Sequence, residues 1–457
     1  MSTRALWISG LCTAALSLHA AGCDGGGTGT GGSGGAGASS TTSDGGSGGA
    51  GAGGGTGATG GGGTGGSTGN PFTSEGETSY ETQTSLAADG KGGVVAAWIG
   101  FFADNTSGIG YAVSRDGGEH WTAPAIVESP GGRLASNPVV VADGKGQFSL
   151  AWLGFRADGT GPDEHIYVSR LDPATETFAP PAVASDDGTS TQLDFDKPSM
   201  KVDASDALLL TWADFSATAM GGPAALTFAR STDGEVFSKV KITDDATFGN
   251  LAALCLDTSL GPSAPLYLVH LGPNGTVTLR TSVNQGQSWE LRPTPAAQVL
   301  FQDITCAVSD KDLWIAYAAG TALFSPTEDS PADAVYVMHS SNGGVTFDTP
   351  AKVSDGAAGE QYLFPQITRS GSGKLGVVYY QGVVDGPAQL VLSSSADGAA
   401  WTTSPIASTG TFTIDRTIAS WLGAYVGFAI PADLGLVSYA DNSANKAHVR
   451  FAQIALP

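Results

Sequence analysis

Six short segments end on an aromatic residue and recur at near-constant distance. Trp121, Phe178, Phe237, Trp289, Phe347 and Trp401 stand 52 to 59 residues apart. A period near 50 residues, with several short strand-like runs per unit, is the signature of a propeller: one such unit cannot bury its own faces and must stack on neighbours. Five of the segments share a pattern: "SRDGGEHW" (114–121), "STDGEVF" (231–237), "SVNQGQSW" (282–289), "SSNGGVTF" (340–347) and "SADGAAW" (395–401). "SRLDPATETF" (169–178) is a degenerate sixth copy.

A second ladder is independent of the first. Apolar runs such as "VVAAWIGF", "LLLTWADF" and "GVVYYQG" place Trp98, Trp152, Trp212, His270, Tyr317, Tyr379 and Tyr439 at equivalent positions. A third ladder of β-branched and aromatic-rich strands follows each run, from "IGYAVS" to "HVRFAQIA". These ladders count seven units. The last unit stops after its third strand, and "NPFTSEG" near residue 70 aligns with the fourth strands of other units. The expected fold is therefore all-β: a seven-bladed propeller of four-stranded antiparallel blades, closed by the N-terminal strand, which would remove free sheet edges. Six blades are the alternative, should the final unit be only a partial blade.

The eight-residue pattern has the residues of a turn and a plug. An Asp or Asn side chain bonds the N–H groups of its own turn, Gly supplies positive φ, and the closing aromatic packs between blades. Asp116, Asp233, Asn284, Asn342 and Asp397 hold the turn position, each two residues after Ser114, Ser231, Ser282, Ser340 or Ser395. Gly118 is the turn glycine of the first copy, and Trp121, Phe237, Trp289, Phe347 and Trp401 are the plugs. These segments resemble the Asp-box, the bacterial neuraminidase repeat Ser-x-Asp-x-Gly-x-x-Trp, over nearly all of residues 70–457. The resemblance implies a sialidase-like propeller with each box between the third and fourth strands of a blade, on the face opposite the ligand pocket.

The chain before the repeats cannot join this fold. Residues 1–22 read as an export signal, with Arg4 followed by an apolar run to Ala21. "LHAAGC" resembles a bacterial lipobox, which implies lipidation at Cys23. Residues 23–69 are almost wholly Gly, Ser, Thr and Ala; with nothing to bury, they are expected to form a flexible tether of roughly 40 Å. The propeller would then occupy 70–457, anchored at the cell envelope and facing the periplasm or cell surface. A net charge of −22 argues against a nucleic-acid partner. A monomer is expected. Of four cysteines, Cys255 and Cys306 fall at equivalent places on consecutive units, and outside the cytoplasm they could form a disulfide or stay as buried thiols.

On such a ring, ligands are met by the loops that lead into each blade and those joining its second and third strands. The sharpest cluster there is "QLDFDKP", where alternation puts Asp194 and Asp196 on one side of an extended segment. Two carboxylates could act as acid and base on a sugar or ligate Ca²⁺; the simpler alternative is a polar loop with Asp196 paired to Lys197 or Arg416. No other cofactor and no metal site is expected. The sialidase resemblance implies three arginines on an anionic sugar, but the chain has no Arg-Ile-Pro motif. Arg133, Arg156 and Arg416 do fall in these loops, and they would have to converge on one carboxylate. The expectation is a non-catalytic module binding a glycan or envelope protein. The alternative is a divergent glycoside hydrolase using axial-loop carboxylates.

Overall fold

The computed structural model describes residues 78–104, 106–156, 163–185, 193–217, 224–246, 252–272, 275–295, 304–319, 332–357, 359–383, 386–406, 409–413, 422–423, 425–443 and 445–456. Cys23, the expected signal and tether, the "NPFTSEG" segment and Arg416 lie outside these residues.

Seven antiparallel sheets follow one another along the chain, and within each the spatial order of the main strands is the sequence order. Their first strands are Tyr80–Ala88, Leu134–Ala142, Phe195–Val202, Ala253–Cys255, Thr305–Ser309, Gln361–Arg369 and Gly427–Ala429. These strands surround a common axis, since residues from all seven line one central cavity. The molecule is a seven-bladed β-propeller. Six blades have four strands along their main path, two of them with an extra short strand. The seventh has three among the described residues.

The apolar core is divided in the same way. Seven buried clusters each lie between two adjacent blades. Both faces of every sheet are covered, which is why second strands such as Val94–Phe101 and Phe148–Phe155 are buried along their whole length. The ladder residues Trp98, Trp152, Trp212, His270, Tyr317, Tyr379 and Tyr439 all sit in this packing. They are structural rather than a cage around a ligand.

Hydroxyl groups on the first strands stitch blade to blade. Ser85 Oγ accepts from Val140 N at 3.0 Å, Ser199 Oγ from Leu254 N at 3.4 Å and Thr305 Oγ1 from Ile367 N at 3.0 Å. Thr84 does the same across the closure of the ring, accepting from Gly427 N at 3.2 Å and donating to Ser438 O at 2.8 Å. Glu81 N also donates to Ala447 O at 2.8 Å, bringing the start of blade 1 onto blade 7. Cys255 and Cys306 are joined by a disulfide between the first strands of blades 4 and 5, with Cα atoms 6.1 Å apart.

Candidate functional site

The first strands begin at one end of the axis, here termed the mouth. Four of them slip register at the same level, between Thr82 and Ser85, Ser136 and Val139, Asp196 and Ser199, and Leu363 and Gln366. At each slip one non-glycine residue takes positive φ: Gln83 at 50°, Asn137 at 53°, Lys197 at 49° and Phe364 at 56°. That conformation is costly for a residue with a Cβ. Pro138, Pro198 and Pro365 follow three of them, at positions where no N–H need be donated to a ladder. A bulge re-aims the side chain it carries.

Three of these side chains are polar and buried, and two of them are incompletely paired. Gln83 has neither its amide nitrogen nor its oxygen bonded, and Asn137 Oδ1 is likewise without a partner. Asn137 Nδ2 donates to Asp196 Oδ1 at 2.8 Å, and Lys197 N donates to the same oxygen at 2.8 Å. Lys197 Nζ lies 4.7 Å from the centre of the Tyr425 ring. Asp196 is thus held by Asn137 and by the Lys197 N–H, and no ion pair joins it to the Lys197 ammonium among the described residues. Burial pushes its carboxyl above the usual range, while the Lys197 charge and the Lys197 N–H oppose the shift.

Asp194 and Asp196 come together with a third carboxyl, Glu164. Phe195 N donates to Glu164 Oε2 at 2.5 Å. Glu164 is buried, and burial, followed by the nearby Asp194 and Asp196 charges, raises its carboxyl well above the ordinary value. The three acids lie where blades 2 and 3 meet. None of them is among the described residues lining the central cavity.

Two of the three candidate arginines do converge on one carboxylate, and it belongs to the protein. Arg133 Nη2 is 2.5 Å and Arg156 Nε 2.9 Å from Asp163 Oδ2. His165 Nε2 is 3.1 Å from Asp163 Oδ1. Arg133 also donates to the backbone oxygens of Asp163 and Pro130. Hydrogen bonding from Arg133 leads the effects that hold the Asp163 carboxyl down to about 2. Tyr80 and Glu81, adjacent in sequence, part company as strand alternation requires: Tyr80 stacks on Phe101 at 4.6 Å, whereas Glu81 Oε2 meets His448 Nδ1 of blade 7 at 2.6 Å.

At the other end of the axis stand the five repeated turns, each between the third and fourth strands of its blade. Their hydrogen-bond nets follow one plan, with the carboxylates of the shorter copies in blades 3 and 6 accepting from N–H groups two and three residues on. In blade 1, Ser114 Oγ donates to Asp116 Oδ1 at 2.8 Å and accepts from Gly118 N at 2.9 Å; Asp116 Oδ1 accepts from His120 N at 2.9 Å. In blade 4, Ser282, Asn284, Gly286 and Ser288 repeat the arrangement. Blades 3, 5 and 6 do so through Asp233, Asn342 and Asp397. Trp121, Trp289 and Trp401 each donate from Nε1 to the carbonyl of their own turn glycine. Trp121 meets Phe451 of blade 7 edge-on and Trp289 meets Phe228 of blade 3 in the same way. Asp116, Glu119 and His120 are close enough to hold a cation, but all three are exposed and Asp116 is spent on its turn.

No protein-family model matches the chain, and no curated protein sequence matches it. Solved structures do resemble it. The intramolecular trans-sialidase from Ruminococcus gnavus is 14% identical over 70% of this chain and 94% of that one, with a TM-score of 0.49. A protein of unknown function from Dyadobacter fermentans is 15% identical over 71% and 95%, at 0.48. A mutant of the NanB sialidase from Streptococcus pneumoniae is 14% identical over 83% and 68%, at 0.43. The blade count rests on this chain's own strand order.

Between the two ends runs the central cavity, about 350 Å³ in volume. Its charged lining residues among those described are Lys197, Lys201 and Arg369; none is acidic. Sequence reasoning did not single out Gln83, Asn137, Glu164, Lys201 or Arg369. One signal was there: Gln83, Asn137, Lys197 and Phe364 each stand fifteen residues before the ladder aromatics Trp98, Trp152, Trp212 and Tyr379.

Proposed function

We propose that this chain is an exported, envelope-anchored propeller that binds a glycan at its axial mouth without turning it over. The observation that carries this reading is the set of buried polar groups left unpaired on strained bulges beside the mouth. The Gln83 amide, Asn137 Oδ1 and the Lys197 ammonium beside Tyr425 supply donors, an acceptor and an aromatic face within one ring. Such neutral and cationic groups beside an aromatic ring suit a polyhydroxylated ligand. The carboxylates and arginines that hydrolysis would call on are bonded inside the protein instead. Lipidation at Cys23, and a tether over 23–69 that holds the ring off the membrane, belong to the same proposal and rest on the sequence. So does the kinship of the five turns with the Asp-box.

A second reading, a divergent glycoside hydrolase, draws on one observation. Glu164, with its carboxyl raised beside Asp194 and Asp196, has the protonation of a general acid. The mature protein, applied to a glycan array and to a panel of fluorogenic glycosides, separates the two. Binding that Asn137→Ala weakens, with no turnover, is the expected result. Turnover that Glu164→Gln abolishes would establish the hydrolase instead.

A further inference from the structure

Lys201 lies near the far end of its strand from the mouth. Four residues separate it from Lys197, about 13 Å of extended chain. Arg369 is the last residue of the first strand of blade 6. Blades 3 and 6 are three positions apart in a ring of seven, so the two cations approach the axis from opposite walls of one cavity. Both therefore belong to the end of the channel on the side of the repeated turns.

Neither cation is neutralised in the ordinary way. Among the described residues Lys201 has no ion pair or hydrogen bond; its side chain is solvent-exposed and lines the channel. Arg369 Nε is buried without a partner. The acidic group that feels the Arg369 charge is Asp257 of blade 4, and its oxygens already accept from Ser259 N, Ser259 Oγ and Asp310 N. Lys197 differs, since Asp196 stands beside it. Desolvation alone pulls the Lys201 ammonium below the ordinary lysine value. A buried N–H without an acceptor, as at Arg369 Nε, is expensive, and an anion in the channel would supply the acceptor. This chain carries 43 acidic against 21 basic residues, yet no carboxylate among the described residues lines the cavity. Each first strand has a ladder neighbour on one side only, so its other edge faces the axis and adds backbone N–H groups to the lining.

We infer that the far end of the axial channel is a binding site for a small anion, a compact oxyanion held between Lys201 and Arg369. Phosphate and a short dicarboxylate share the required chemistry: one or two negative charges and several acceptor oxygens in a volume far below that of the channel. The site is separate from the mouth and does not depend on what binds there.

The test is isothermal titration of the mature protein at low ionic strength with inorganic phosphate, with succinate and with chloride in parallel arms. One saturable site is expected for phosphate or succinate, and the arm that saturates at the lower concentration identifies the better source. Affinity should fall about tenfold or more in Lys201→Met and in Arg369→Gln, and stay within about threefold in Lys201→Arg. Binding should weaken as pH rises through the lowered lysine value. Asn137→Ala, at the mouth, should leave phosphate binding unchanged. A melting curve gives a second readout that needs no affinity: the anion should raise the midpoint of the wild-type chain and leave that of Lys201→Met where it was. Absence of saturable binding in all three arms, saturation by chloride alone, or Lys201→Met and Arg369→Gln binding as tightly as the wild type, would overturn the inference.

Discussion

The turn glycines show how a single hydrogen in place of a side chain can set the distance between two blades. Gly286 has φ of +84°, and a Cβ there would stand 2.1 Å from Phe228 Cε1 of blade 3. Gly118, Gly344 and Gly398 meet Phe451, Leu279 and Trp314 of the preceding blades in the same way. Gly261 has nearly the same φ, +83°, with nothing near its would-be Cβ. Gly261→Ala should therefore cost about 1 kcal/mol, from backbone strain alone. Gly286→Ala should cost about 2–4 kcal/mol, since overpacking adds to the strain; denaturant unfolding of the two variants measures the difference. Glu164 allows a second prediction at this scale. Its folded value lies above the unfolded one, so its contribution is fully favourable below pH about 4.5 and is lost as pH rises. Glu164→Gln should melt higher than wild type at pH 8 and level with it at pH 4. The turn was legible in the sequence because its residues are local to one another. The Arg133–Asp163 pair was not, because 30 residues and a change of strand separate the two, and only the closed blade brings them together.

At the scale of the strand, the ladders were readable because burial on both faces imposes continuous apolar runs with a large residue at one fixed place. The bulges were not readable from residue type. Positive φ is ordinarily advertised by Gly, and here Gln83, Asn137, Lys197 and Phe364 adopt it. Only their constant spacing from the ladder gives them away. Their side chains are what glycine would forgo, which suits a place where the strand must present groups to a ligand. The pairing of Cys255 with Cys306 was left open by the sequence, since equivalent places on neighbouring blades decide proximity but not bonding. The bond closes a loop of 51 residues across the wall of the channel. Replacing both cysteines by Ala should lower unfolding free energy by about 4 kcal/mol, seen as a lower denaturant midpoint.

For the whole molecule, the sequence carried the ring and its count of blades, while the sign of charge along its axis ran against the overall composition. The blade interfaces are not equal. The cluster between blades 7 and 1 contains seven buried residues, against ten to seventeen for the others among the described residues. Thr84 is the polar clasp of that interface. Thr84→Val would remove the acceptor that Gly427 N meets across the closure, at a cost of about 1–3 kcal/mol. Hydrogen exchange should then find the amides of Leu434–Asp441 and His448–Ala455 losing protection before those of any other blade.

The chain enters the ring at this interface, through Thr78 to Glu81, and Glu81 N is bonded to blade 7. Tension arriving from the N-terminal side would thus be applied in shear to the least buried joint of the circle. A ring pulled from that side would part there first, while the disulfide between blades 4 and 5 kept the opposite arc intact.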